Sequence, residues 1–182
     1  MNLLPVSRHP RLTATDAEAG FQQQPCKAQP GEKTFKLVMF EISALHFALR
    51  IEAVQRVVGR AQVIYGSQES RIGIAHIGDE EITVVDLHKR FTADSNLSTR
   101  AIAPLPPPYL IITHGSTGEW LGIPVTTTPV LCEVTLSQIR ALPNAYCHAN
   151  QLRIANHVAL IPQEPEPITV FLIDVERIFQ YI

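Results

Sequence analysis

Seven histidines, three cysteines and seventeen acidic residues give this chain ample material for acid–base or metal chemistry, so spacing decides what they can do. His9, His46, His76, His88, His114, His148 and His157 contain no pair at the i, i+4 interval that places two imidazoles on one helical face. Cys132, Cys147, His148 and His157 lack the close ligand pairs of a zinc finger. No Gly-rich phosphate loop and no Gly-x-Ser-x-Gly elbow is present, and Ser116, within Gly115-Ser116-Thr117-Gly118, reads as a hairpin turn. A small metal-binding enzyme using His76, Asp79 and Asp86 is the alternative from this class. The main expectation is a chain with no catalytic residue, no metal site and no cofactor.

Two aspartates stand out by context instead. Ile82-Thr83-Val84-Val85-Asp86-Leu87 is echoed near the C-terminus by Ile168 to Val175, which ends Leu172-Ile173-Asp174-Val175. Each Asp follows an apolar strand and precedes a helix-like segment with a Phe five residues on, Phe91 and Phe179. A carboxylate there accepts bonds from the free N–H groups of a helical first turn, so Asp86 and Asp174 are expected as structural caps, not as an acid–base pair. The echo also implies a duplicated β unit.

The 182 residues, 46% hydrophobic, suffice for one domain or a pair of small subdomains with real cores. A formal charge of −2 without a basic stripe argues against nucleic acid as a partner. No apolar run reaches membrane-spanning length, Pro5 and Pro10 interrupt the first residues, and Cys26, Cys132 and Cys147 form no disulfide framework. A cytoplasmic protein without direct membrane insertion is the expectation. Residues 1–32 are polar and proline-punctuated, and read as a disordered tail.

The elements follow from alternation and turn residues. Phe35 to Ile42 and Leu45 to Ile51 read as a hairpin through Ser43-Ala44, and Val54, Val57 and Val58 then fall at helical spacing. Ala61 to Tyr65 is a short strand, and Gly73 to Ile77 pairs with Glu81 to Leu87 around Gly78-Asp79-Glu80. Pro104-Leu105-Pro106-Pro107-Pro108 reads as a stiff connector. Beyond it, Tyr109 to Thr113 and Glu119 to Val125 repeat the order of the first hairpin. Short strands with frequent turns point to small barrels, not to a parallel sheet with crossover helices.

Taken in order, five segments resemble the successive signatures of the CheW-like domain, the adaptor module of bacterial chemotaxis. They are Phe35 to Phe40, Phe47 to Val54, Gly73 to Leu87, Trp120 to Val125 and Val170 to Phe179. The resemblance covers residues 33–182 and implies two five-stranded SH3-like β barrels packed side by side with short helices, roughly 35–100 and 109–182. It further implies a signalling adaptor that couples chemoreceptors of the methyl-accepting type to a histidine kinase in chemotaxis, phototaxis or pilus motility. One barrel would meet the kinase's regulatory domain, and the groove between barrels would receive the receptor's cytoplasmic tip, with the adaptor recruited to membrane receptor arrays. The family's turn usually reads Asn-Leu-Arg-Gly, where this chain has His76, Ile77, Gly78 and Asp79, followed by Glu80. These five residues are the expected partner-binding segment. With the arginine replaced and carboxylates beside it, a partner carboxylate would be repelled, which implies altered contacts or a divergent regulator or decoy.

Overall fold

In the computed structural model of the protein, residues 31–67, 69–92, 107–143 and 152–180 are described. The expected tail up to residue 30, the polar stretch 93–103, positions 104–106 of the connector, and His9, Cys26, Cys147 and His148 lie outside the described residues. Glu32, assigned to the tail, belongs to the folded part: its carboxylate accepts the Ser137 N–H at 2.7 Å.

The first half runs β1 (Thr34–Ile42), β2 (Leu45–Arg50), the 3-10 turn η1 (Ile51–Ala53), β3 (Val54–Gly59), β4 (Val63–Tyr65), β5 (Ile72–Ile77), β6 (Glu80–Val85) and α1 (Leu87–Thr92). The second half runs β7 (Tyr109–His114), β8 (Trp120–Val125), β9 (Val130–Thr135), η2 (Leu136–Gln138), β10 (Ile139–Ala141), η3 (Leu152–Ile154), β11 (Ala155–Ile161), β12 (Ile168–Ile173) and α2 (Val175–Phe179). Helix was expected after Glu52, where the structure has η1 and then a strand. The valine spacing there is satisfied by an edge strand whose Val54 and Val58 are half-buried while Val57 is exposed.

These strands make two sheets: sheet I, in the order β10-β11-β12-β2-β1-β9, and sheet II, in the order β3-β7-β8-β6-β5-β4. Shifting every strand by six in the chain converts one order into the other, so the internal echo is a complete structural duplication. The architecture is all-β, two SH3-like barrels side by side. Each sheet has six strands instead of the expected five, the extra members being the three-residue edge strands β4 and β10.

The barrels do not follow the expected division into residues 35–100 and 109–182. The β1–β2 hairpin pairs with β9 on one side and lies parallel to β12 on the other, while β7–β8 pairs with β3 and lies parallel to β6. Each half thus gives its first hairpin to the other half's sheet. Adjacent strands usually pair, and the hairpins obey that rule locally; crossing over is set by what their two faces bury. Leu37, Met39 and Ala48 fill the interior of sheet I with Val134, Ala159 and Val170. The alternate residues Phe40, Ile42, Phe47 and Leu49 join Ile111, Leu121 and Ile123 in a core between the sheets. Leu110 and Ile112 enter the interior of sheet II with Ile82 and Val84. A strand buried on both faces needs apolar residues at consecutive positions, and this accounts for the unbroken runs in β7 and β8.

Phe47 anchors the junction. Its ring centroid lies 5.2 Å from Phe91 of α1 and 5.7 Å from Phe171 of β12, so one side chain joins both halves.

Candidate functional site

The expected binding segment is the tip of the β5–β6 hairpin. Ile77 pairs with Glu80, leaving a loop of Gly78 and Asp79, and Gly78 has φ +66°, the left-handed value that a tight hairpin needs at its first loop position. A Cβ at Gly78 would meet nothing within 4 Å, so only backbone conformation restricts this site. His76 and Glu81 face each other across the ladder and are exposed, while Ile77 packs against the interior of sheet II. The structure therefore separates Ile77, a core contributor, from the exposed His76, Asp79 and Glu80.

A positive charge does stand at this tip, delivered from another strand. Arg56 of β3 reaches Glu80 with Nη2 2.6 Å from Oε2. Sheet II must curl for that contact to form, because β3 lies at one end of the strand order and β5–β6 near the other. Nothing in the local hairpin pattern announced this pairing; it depends on the closed shape of the barrel.

The two aspartates lie at the far ends of their hairpins. Asp174 caps α2, its Oδ1 accepting the Glu176 N–H at 3.2 Å. Asp86 Oδ1 accepts the Lys89 N–H at 3.0 Å, and its Oδ2 lies 3.4 Å from the Tyr65 hydroxyl. Lys89 Nζ sits 3.9 Å from the Tyr65 ring centroid. Burial first, then the Asp86 charge and its hydrogen bond, raises the Tyr65 phenol well above its ordinary value. His76 and Asp86 stand at opposite ends of the β5–β6 ladder, which separates the ligands of the metal alternative. Among the described residues no three His, Cys, Asp or Glu side chains group to hold a metal.

At the seam between barrels, a shallow cleft of about 290 Å³ is lined by Arg50, Glu52 and Ala53 together with His114, Gly115 and Ser116. Its walls are tied by side chains: Thr113 Oγ1 donates to the Ala53 carbonyl at 2.5 Å, and the Ser116 N–H donates to Glu176 Oε1 at 2.5 Å. Ser116 thus belongs to a hairpin turn that receives the N-terminal turn of α2.

A second feature, missed by the sequence reading, is an apolar sheet face. Ile64 pairs directly with Ile74, and Ile72 lies two residues along β5 on the same side. They are 58%, 42% and 37% exposed. Across the ladder this face continues through Thr83 and Val85 of β6 to Leu121 of β8, where it enters the core between the sheets. The duplication supplies a comparison within the molecule. Register equates Ile74 with Val158 and Thr83 with Phe171, both packed into or against that core. Leu142 also packs there, with its N–H bonded to the Asn156 carbonyl at 2.9 Å. Its counterpart after β4 is Gly66, where an added Cβ would meet nothing within 4 Å. A leucine helps cover the face in one half, and open space lies at the same place in the other.

The profile of the CheW-like domain matches residues 36–182. The chain belongs to the CheW-like domain family. No curated protein sequence matches it significantly. Among solved structures, the CheW-like fold is shared with the scaffolding protein TtCheW from Thermoanaerobacter tengcongensis, at 18% identity and a TM-score of 0.60, over 84% of this chain and 91% of that one. Within this CheW-like frame the arginine expected at Gly78 is absent from the turn, and Arg56 brings a guanidinium to the next residue but one. No helix among the described residues is long and apolar enough to cross a membrane.

Proposed function

We propose that this CheW-like protein is a non-enzymatic signalling adaptor that couples chemoreceptors to a histidine kinase, with the β4–β5 face and the β5–β6 tip as its principal docking surface. The observation that carries this reading is the exposed Ile64, Ile72 and Ile74 face, contiguous with the core between the barrels in a chain of this family. Three large apolar side chains on one sheet face are stabilised by a covering surface, and since each is already about half buried, covering the rest contributes about 1 kcal/mol apiece. Family membership supports this choice of cover: the regulatory domain of the kinase would meet one barrel, and the cytoplasmic tip of a receptor the groove between them. The protein would act in the cytoplasm at membrane receptor arrays.

The acidic turn favours a second form of the same reading, a regulator that occupies the kinase or receptor site without supporting activation. Asp79 and Glu81 present carboxylates where the family's turn presents an arginine, so binding and activation can separate.

The test is titration of the full chain with a kinase regulatory domain and a receptor cytoplasmic fragment encoded in its own genome. Binding of at least one, weakened at least tenfold by Ile74→Asp (about 1.4 kcal/mol), is the expected result. Absence of binding to both would remove the coupling assignment. Activation against inhibition of kinase phosphorylation then separates the adaptor from the decoy.

A further inference from the structure

The uncovered face of sheet II carries charge as well as apolar surface, and the charge has a direction. From Ile72 towards the turn, β5 presents Ile72, Ile74 and His76 on one side, with Glu81 opposite His76 and Asp79 at the tip. Glu80 is neutralised by Arg56, whereas no partner for Asp79 or Glu81 is found among the described residues. At the other end of the strand stands Arg71, exposed, with its carbonyl accepting the Asp86 N–H at 2.8 Å. The turn end of the apolar patch is therefore acidic.

The patch also has a shape. Paired Ile64 and Ile74 are separated by one inter-strand step of about 4.8 Å, and Ile72 and Ile74 by two residues, about 6.8 Å. Apolar side chains at i, i+3 and i+4 of an α-helix stand about 5–6 Å apart, a similar spacing. A helix over the patch would cover the space that Gly66 leaves open, where the other half of the molecule places Leu142.

We infer that the β4–β5 face of this chain takes an amphipathic helix of a partner protein, oriented so that Lys or Arg residues flanking its apolar stripe lie over Asp79 and Glu81. This rests on the adaptor reading for the claim that the partner is a protein, and adds the partner's charge and orientation. The sign is opposite to what an arginine-bearing turn would select, so the charge at the tip excludes helices with carboxylates at that end. Desolvation of the isoleucines provides affinity and the carboxylates provide selection.

Two synthetic helical peptides of roughly 18 residues, with the same apolar stripe and either three Lys or three Glu at one end, serve as probes. Each is titrated against the full chain by fluorescence anisotropy at about 50 mM and about 300 mM salt. The Lys peptide should bind about tenfold tighter at low salt, with the ratio shrinking at high salt. Asp79→Lys with Glu81→Lys should invert the preference, and Ile74→Asp should abolish binding of both. Equal affinities, a preference for Glu, binding of neither peptide, or binding indifferent to Ile74→Asp would each overturn the proposal. A bound peptide without induced helical circular dichroism would overturn it in favour of strand addition at the β4 edge. Loss of the charge preference while a natural kinase or receptor fragment still binds leaves the adaptor reading standing. Intact Lys-peptide selection with no natural partner sinks the adaptor reading alone.

Discussion

Replacing Ala44 with glycine should stabilise this protein. Ser43 and Ala44 form the whole loop between β1 and β2, since Ile42 pairs with Leu45, and their φ values are +51° and +63°. Two consecutive left-handed residues match the right-handed twist of a hairpin, but a side chain in that conformation costs about 1–2 kcal/mol. Ala44 is exposed, so removing its methyl sacrifices little packing. Glycine relieves the strain and loses about 0.4–1 kcal/mol through the greater freedom of the unfolded chain. The net gain should be about 0.5–1 kcal/mol, or roughly 1–4 °C in melting temperature at this chain length. Gly78→Ala is the reverse experiment, with φ +66° and open space around the added methyl, and should lose at least as much through backbone conformation alone. Urea unfolding gives both numbers, read as midpoint shifts at constant slope. If Ala44→Gly destabilised the protein, or if Gly78→Ala were neutral, left-handed geometry would not be what governs these turns.

Two further substitutions test the packing of β4. Gly73→Ala would place a Cβ 2.8 Å from the Ile64 carbonyl oxygen and 2.8 Å from the Tyr65 ring, so a loss of about 1–3 kcal/mol is expected, against little change for Gly66→Ala, where nothing lies within 4 Å. For Tyr65, the raised pKa means that the unfolded chain releases this proton first as pH climbs past the ordinary tyrosine value of about 10. Its contribution to stability is full below that pH and declines above it; Tyr65→Phe should flatten the alkaline slope, and ultraviolet titration should show one tyrosine ionising later than a free phenol.

What the sequence made legible was whatever a strand records locally. Alternation and Gly or Pro punctuation located the hairpins at Phe35, Gly73 and Tyr109, and the helix-initiating context of Asp86 and Asp174 needed only adjacent residues. The duplication was visible because Ile82 to Leu87 and Ile168 to Val175 retain the same order of apolar and acidic positions. The exchange of hairpins was not, because β1 meets β9 and β2 meets β12 through residues distant in the chain, and both arrangements leave the same local pattern. Val54 to Val58 misled because a partly buried edge strand constrains its side chains weakly, so accidental helical spacing went unopposed. The Arg56–Glu80 contact and the uncovered isoleucines share one cause of concealment: each depends on which face of a curled sheet closes on the other.

Duplication with exchange also bears on how an adaptor can serve unlike partners. Two identical barrels would present two identical faces, and a scaffold built that way would bring like to like. Here the shared interior is conserved between halves, with Leu37 and Met39 filling sheet I as Leu110 and Ile112 fill sheet II. Divergence falls on the exposed face instead, where Ile64 corresponds to Arg140, His76 to Leu160 and Gly66 to Leu142. The crossing hairpins put Phe47 and Ile111 into one common core, so displacement of either barrel disturbs the packing of both. That coupling fixes the angle between two different surfaces at no cost in linker entropy. A partner docked on the isoleucine face of one barrel, as proposed above, would therefore be held in a set direction relative to the Leu160 face of the other.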